Sequence, residues 1–204
     1  MQIEKFILGP LKTNSYLIWD EATDQAAVID PSDEGGFISN KVLEKDLTLT
    51  KIILTHGHFD HVNGLLELKL NFPDAPILMH QDDLKLYKKA PDSTKHWTNH
   101  DPGPVPPIDQ YLIDQQEITI GEIVLKVIHT PGHTPGSICL YNKQEDILFS
   151  GDTLFKQGFG RVDFSYSSPA RMKQSLNVLK KLPGHTKVFS GHGDFTYIDR
   201  ELVS

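Results

Sequence analysis

The stretch that decides the fold is Thr55-His56-Gly57-His58-Phe59-Asp60-His61. It comes directly after the apolar run 52–54, so three imidazoles and one carboxylate stand together at the end of a predicted strand. Imidazole nitrogens and carboxylate oxygens are ligands that zinc, iron and manganese accept, whereas a soft-metal or iron–sulfur site requires thiolates. The stretch therefore predicts a metal site.

The spacing within this stretch indicates more than one metal. In an extended segment, residues two apart point to the same side, so His56, His58 and Asp60 would project together and His61 would turn away. One loop could then serve two neighbouring metals, whereas a helical His-Glu-x-x-His motif holds one. Apolar residues at helical spacing after Asp60 predict that the second half of the stretch opens a helix.

Three further candidate ligands follow apolar, strand-like runs later in the chain. They are His133, Asp152 and His192, and each has a glycine beside it. Glycine lets the backbone turn sharply and approach an ion closely. The chain thus offers seven candidate ligands, all in loops that follow predicted strands.

In order along the chain, this series of His-x-His-x-Asp-His, His, Asp and His resembles the metallo-β-lactamase fold superfamily. The resemblance implies an α/β fold over residues 1–204, a four-layer αββα sandwich forming a single domain, with metals at one edge between the sheets. It also implies a division of the ligands: one metal takes His56, His58 and His133, the other takes Asp60, His61 and His192, and Asp152 bridges them.

The resemblance further implies hydrolysis by a two-metal site. Two ions about 3.5–4 Å apart acidify a water held between them, and a zinc-bound water reaches a pKa near 7. Asp60 and Asp152 are the candidate catalytic carboxylates of such a site. Zinc is the expected metal, with iron and manganese as alternatives, because nitrogen–oxygen sites accept several metals.

Segments around the candidate ligands are similar to the glyoxalase II branch, in its short, single-domain bacterial form. The segments are Gly151-Asp152-Thr153-Leu154-Phe155, Gly160-Arg161-Val162-Asp163-Phe164 and Gly191-His192-Gly193-Asp194-Phe195-Thr196. This similarity implies a thioester substrate such as S-D-lactoylglutathione. A thiol of pKa about 8.5 is a better leaving group than an amine, and no obvious proton donor accompanies the motifs. The twelve residues after His192 are too few for the helical extension that contacts glutathione in glyoxalase II itself, so that pocket is not expected.

Three residues near these motifs are candidate substrate contacts. Arg161 and Asp163 could bind a substrate carboxylate or support a metal ligand, and a plain structural ion pair is an equal alternative. Phe155 is the third. The single cysteine, Cys139, lies in an apolar run, which predicts a core position rather than a nucleophile.

Charge and composition limit the kinds of binding partner that the sequence favours. A net charge of −7 and a pI near 5.8 disfavour nucleic acid, which normally requires a basic face. No apolar run approaches the ~20 residues of a membrane span, and one cysteine makes a reducing cytoplasm the default location. A small-molecule thioester is the expected partner; oligomeric state is not predicted.

Other functions share the same residues. A persulfide dioxygenase would use one iron at His56, His133 and Asp152; a lactonase or β-lactamase would attack other carbonyls; a non-catalytic metal-binding module would keep the ligands alone.

Secondary structure follows from the apolar patterns. Segments 169–182 and 35–45 predict helices, and residues 90–107, with five prolines and no periodicity, predict a long loop of unassigned role. Strands are predicted at 2–8, 13–19, 25–30, 51–55, 77–79, 110–113, 117–128, 137–142, 145–149 and 188–190.

Overall fold

Residues 1–202 are described by the computed structural model, and within them lie twelve strands, six α-helices and one short 3-10 helix (Gln81–Asp83). The strands are β1 (Gln2–Leu8), β2 (Thr13–Trp19), β3 (Gln25–Ile29), β4 (Thr48–Ile53), β5 (Ile77–His80), β6 (Gln110–Leu112), β7 (Glu117–Ile120), β8 (Ile123–His129), β9 (Ile138–Asn142), β10 (Ile147–Gly151), β11 (Lys187–Ser190) and β12 (Thr196–Tyr197). The helices are α1 (Gly35–Glu44), α2 (Phe59–Val62), α3 (Leu65–Asn71), α4 (Leu84–Thr98), α5 (Pro169–Leu179) and α6 (Ile198–Glu201). None of these helices is long and apolar enough to cross a membrane.

The strands form two six-stranded sheets, one from each half of the chain. Sheet 1 has the order β1-β2-β3-β4-β5-β6 and sheet 2 the order β12-β11-β10-β9-β8-β7. In sheet 1 the first two pairings are antiparallel and the last three parallel. In sheet 2 only β10 and β11 pair in parallel.

Three apolar layers hold the sheets and helices together. Successive strand residues point to opposite faces, so Ile52 packs under the helices while Ile53 packs between the two sheets. Leu148 packs on the outer face of sheet 2 against Leu179 of α5. The order of layers is therefore helix, sheet, sheet, helix, and the predicted αββα arrangement is confirmed.

Several local predictions need correction. Residues 90–107 are not one loop, because α4 continues through Pro91 to Thr98. Its buried residues, Tyr87, Ala90 and Thr94, have helical spacing, but alanine and threonine give a weak apolar signal and proline suggested a break. Segment 117–128 is a hairpin of two strands rather than one strand, with Gly121 turning at φ +56°.

The His-rich stretch is extended only in its first half. His58 is extended at φ −71° and ψ 147°, and α2 begins at the next residue. Asp60 and His61 therefore lie on a helical turn. The prediction that Asp60 would project alongside His56 and His58 from an extended loop is wrong, while the predicted helix opening after His58 is present.

Candidate metal centre

Strand ends bring the seven candidate ligands to one edge of the sandwich. Segment 56–61 follows β4 of sheet 1, while the other three ligands follow β8, β10 and β11 of sheet 2. The two sheets are joined at this edge by hydrogen bonds: Asn14 N donates to Gly191 O at 2.7 Å, and Ile138 N donates to Thr55 O at 2.9 Å. Loops from both halves of the chain therefore meet at a single site.

Three histidines form the first group of donors. His58 Nδ1 lies 3.0 Å from His56 Nε2 and 2.9 Å from His133 Nε2. Ligand atoms around a tetrahedral zinc ion with bonds of about 2.0–2.1 Å are separated by roughly 3.3 Å, so this spacing suits one ion. The three residues are those predicted to share a metal, and the structure brings them together.

Asp60, His61 and His192 form the second group. Their donor atoms lie within 4.8 Å of one another. Asp60 Oδ2 is 3.5 Å from His61 Nε2 and 3.3 Å from His192 Nε2, and it also accepts a hydrogen bond from Thr13 Oγ1 at 3.0 Å. Helix α2 places Asp60 and His61 here, away from the first group.

The carboxylate of Asp152 lies between the two groups. Its Oδ2 is 3.4 Å from His133 Nε2 and 3.6 Å from His192 Nε2, and its Oδ1 is 3.5 Å from His61 Nε2. One carboxylate thus faces donors of both groups, as a bridging ligand must.

Charge separates the two groups as well. Burial and the neighbouring imidazoles hold the pKa of His56 well below its ordinary value and lower the pKa of His58 to about 3. Burial alone would lower the pKa of His61, but Asp60, Asp152 and Asp30 outweigh it and raise the pKa to about 10. His56 and His58 therefore present neutral imidazoles, whereas His61 lies among carboxylates that attract positive charge.

Two buried atoms at the centre have no hydrogen-bond partner among the described residues. They are His61 Nε2 and Asp152 Oδ1, which face each other at 3.5 Å. Leaving a buried polar atom unpaired costs about 1–3 kcal/mol, more if it is charged. A divalent cation that replaces the proton of His61 would accept a lone pair from each atom, so the residues present fit a metal.

Glycine is required beside the bridging carboxylate. A Cβ at Gly191 would lie 2.2 Å from Asp152 Oδ1 and 2.8 Å from His61 Cε1. Those distances are below any real carbon contact, so a side chain here would displace the carboxylate.

Asp30, which sequence reasoning missed, holds His61 in place. It is 1% exposed, accepts from Thr55 N at 2.7 Å and Thr55 Oγ1 at 2.6 Å, and lies 3.0 Å from His61 Nδ1. Metal-binding histidines usually donate their second nitrogen in this way. The signal was available, because Asp30 is a polar residue directly after the apolar strand β3.

Asp83, also missed, ties the two ligand loops together. Its carboxylate accepts from the N–H of Gly57, the N–H of Gly136 and the hydroxyl of Thr134, at 2.9, 2.6 and 2.7 Å. Burial raises the pKa of this carboxyl. The residue stands in a charged segment before α4, where nothing in the sequence singles it out.

The predicted substrate contacts lie at the rim. Arg161 and Asp163 are exposed and pair with each other through two hydrogen bonds of 2.9 and 2.8 Å. The main chain of Arg161 reaches the centre instead, because its carbonyl accepts from His133 Nδ1 at 2.8 Å. The ring of Phe155 lies 6.1 Å from that of His192.

A further group, His80, Asp82 and His129, lies near the surface. The two imidazole rings are stacked 4.0 Å apart at an interplanar angle of 10°. Imidazole lone pairs lie in the ring plane, so parallel stacked rings do not converge on one ion. This pair is a ring stack in the structure, and it lies outside the metal centre.

A family model described as the metallo-beta-lactamase superfamily matches residues 8–192, a range that includes every candidate ligand. The chain belongs to this superfamily. Hydroxyacylglutathione hydrolase GloC of Haemophilus influenzae is similar to it, at 32% identity over 100% of this chain and 96% of that protein.

Two solved structures are similar over nearly the whole chain. The BLEG-1 B3 metallo-beta-lactamase has a TM-score of 0.90 at 32% identity, covering 100% of this chain and 97% of that one. A di-iron-bound form of TTHA1623 has a TM-score of 0.87 at 34% identity, covering 97% and 96%. The comparisons confirm the predicted superfamily and support a metallo-hydrolase that binds divalent metal.

Proposed function

We propose that this metallo-hydrolase cleaves thioesters of the S-D-lactoylglutathione type at a binuclear centre. The observation that carries the proposal is the position of Asp152, whose two oxygens lie 3.4–3.6 Å from histidines of both donor groups. A single-metal site does not need a carboxylate shared in this way. The similarity to GloC supports the thioester class.

Seven residues would hold the two ions, in the division that the geometry supports. His56, His58 and His133 would hold one, Asp60, His61 and His192 the other, and Asp152 both. Divalent ions bound there would supply Lewis-acid polarisation of a carbonyl and a water acidic enough to attack at neutral pH. Zinc is our proposal for the metal, with iron and manganese as alternatives.

The residues around the seven ligands would orient the ligand side chains and the loops that bear them. Thr13 donates to Asp60 Oδ2 at 3.0 Å, which fixes the carboxylate that faces His192. Asp30 and Asp83 hold His61 and the loop backbones from the protein side. Asp60 is thus held by Thr13 on one side and faces His192 on the other, while Asp152 faces histidines of both groups.

A thioester suits these surroundings because its leaving group needs little help. A thiol has a pKa near 8.5, so it departs as a thiolate without a strong acid beside it. This departure does not require a protonated carboxyl or lysine beside the sulfur. An amine leaving group would require such a donor.

Arg161 remains our candidate for an anionic group of the substrate. Its Nε and Nη2 are occupied by Asp163, at 2.9 and 2.8 Å. A substrate carboxylate would bind Nη1 or displace Asp163, and Phe155 would border the acyl group near His192. A small molecule is the partner that we propose, because the net charge of −7 disfavours nucleic acid.

The proposal is tested by a thiol-release assay. Protein loaded separately with zinc, iron or manganese should hydrolyse S-D-lactoylglutathione, lose this activity on dialysis against a chelator and regain it when metal returns. Asp152→Asn should be inactive, while Asp24→Asn, at an exposed carboxylate, should match the wild type. Protein that binds two ions and leaves the thioester intact would reject the proposal.

Hydrolysis of β-lactams is the second candidate, favoured by the TM-score of 0.90 to a B3 metallo-beta-lactamase. A chromogenic β-lactam in the same assay decides between the two substrates. Oxygen uptake with glutathione persulfide, at one iron per chain, would instead indicate a persulfide dioxygenase and reject both.

A further inference from the structure

Two histidines of the first donor group have protonation states that their neighbours determine. His133 Nδ1 lies 2.8 Å from the carbonyl of Arg161, and a carbonyl only accepts, so Nδ1 carries the proton. His56 Nδ1 lies 3.1 Å from Thr55 Oγ1, whose own proton goes to Asp30. Both residues therefore direct an unprotonated Nε2 toward the centre.

His58 directs its other ring nitrogen, Nδ1, toward the centre, and the hydroxyl beside its Nε2 could either donate or accept a hydrogen bond. Its Nδ1 faces His56 and His133, and its Nε2 lies 2.7 Å from the hydroxyl of Tyr166. A hydroxyl can donate or accept. If Tyr166 donated, the His58 proton would sit on Nδ1 and point at the other two nitrogens. If Tyr166 accepts, Nδ1 is free to bind an ion.

We infer that Tyr166 is the positioning residue of His58: its phenol oxygen accepts the Nε2 proton and so presents the Nδ1 lone pair to the metal. The inference rests on the proposed metal centre but not on the identity of the substrate. Tyr166 is 36% exposed, so its own proton can go to solvent instead of to His58. Tyr166 therefore also offers an O–H donor to a substrate bound at the rim, a role that no motif in the sequence indicates.

A stack of side chains holds Tyr166 at this place. The rings of Tyr166 and Phe164 are stacked, with centroids 5.4 Å apart and an interplanar angle of 17°. The Arg161 guanidinium lies 4.5 Å from the centroid of the Phe164 ring. Asp163 holds that guanidinium through two hydrogen bonds. Arg161 and Asp163 of the Gly-Arg-x-Asp segment thus support, through Phe164, the tyrosine that faces His58.

The phenol remains available as a neutral group. A tyrosine hydroxyl has an ordinary pKa near 10, so it keeps its proton at neutral pH. It can accept from His58 and donate outward at the same time. A phenolate, which only accepts, could not do both.

The test is Tyr166→Phe in the full-length protein, which keeps the ring on Phe164 and removes the oxygen. Chelator competition with zinc should show two binding steps in the wild type. In the variant we expect the dissociation constant of the three-histidine step to rise by about 10–100-fold, the loss typical of an outer hydrogen-bond partner. Tyr111→Phe, at an exposed tyrosine of β6, should leave both steps unchanged.

Nitrogen-15 NMR of the imidazoles supplies a readout that packing alone would not move. In zinc-loaded wild type, His58 should be bound through Nδ1 and protonated at Nε2, with that proton protected from exchange. In the variant its exchange should accelerate, while the signals of His61 and His192 stay the same. The metal-free proteins should melt at the same temperature.

Several results would overturn the inference. One is a variant that binds both ions with wild-type affinity; another is an equal loss at both steps, which indicates general loosening. A His58 signal protonated at Nδ1 would also overturn it. Wild-type protein that binds no ion would reject the proposed centre and this inference together, whereas two ions without thioester cleavage would reject the proposed substrate alone.

Discussion

Replacing Asp30 by asparagine tests whether the carboxylate beneath the metal centre acts as described. Asp30 is 1% exposed and accepts from three donors: Thr55 N at 2.7 Å, Thr55 Oγ1 at 2.6 Å and His61 Nδ1 at 3.0 Å. Asparagine has the same shape and tolerates the backbone φ of 50°, but one of its two terminal atoms cannot accept. The substitution therefore changes hydrogen bonding with little change in packing.

The magnitude follows from which donors lose their partner. With the amide nitrogen at the Oδ1 position, Thr55 N–H is left unpaired; with it at Oδ2, Thr55 Oγ1 and His61 Nδ1 are both affected. One unpaired buried donor costs about 1–3 kcal/mol, so the less harmful arrangement sets the expected loss at about 2 kcal/mol. For a chain of 204 residues this lowers Tm by roughly 4–8 °C.

Two assays measure the effect. Urea unfolding of chelator-treated protein gives the loss of stability, and zinc competition gives the affinity of the second donor group. That affinity is expected to fall about 10–100-fold, because a neutral amide oxygen is a weaker acceptor for His61 Nδ1 than a carboxylate. Asp24→Asn is the matched control, because Asp24 also has a positive φ, of 54°, but is exposed. A D30N protein within ~0.5 kcal/mol of wild type, the range of ordinary surface substitutions, that still binds its second ion normally would refute the reasoning.

Two other predictions concern the bridging carboxylate and the lone thiol. Gly191→Ala should displace Asp152, whose Oδ1 would lie 2.2 Å from the new Cβ, and elemental analysis should then find fewer than two ions per folded chain. Gly158→Ala, where the Cβ meets nothing within 4 Å, is the control, and full metal content in G191A would contradict the prediction. Burial raises the pKa of Cys139 to about 11, so a thiol reagent at pH 8 should label it only after denaturation. The variant Cys139→Ser should keep hydrolase activity. Rapid labelling of the native protein would contradict this prediction.

Local sequence was sufficient for most of the strands and for the positions of the candidate ligands. Apolar runs such as 52–54 and 147–149 predict buried strands, and a polar residue directly after such a run must lie at a sheet edge. The order of His and Asp residues along the chain identified the superfamily. The αββα layers came from that resemblance and not from periodicity.

Local sequence patterns gave wrong secondary-structure predictions where the residues have weak helix or strand preference and tertiary packing determines their conformation. Helix α4 passes through Pro91 because Tyr87, Ala90 and Thr94 are buried against the rest of the fold. Asp60 and His61 join His192 because α2 begins at Phe59, one residue after His58.

The sequence by itself determined which side chains can bind metal and that they follow strands, because both depend on residue type and on patterns a few residues long. Only the tertiary structure decided their partners. Asp30 lies against His61, and Tyr166 faces His58 across 108 positions of sequence. Such distances depend on how the two sheets and their helices pack, and no pattern along the chain records them.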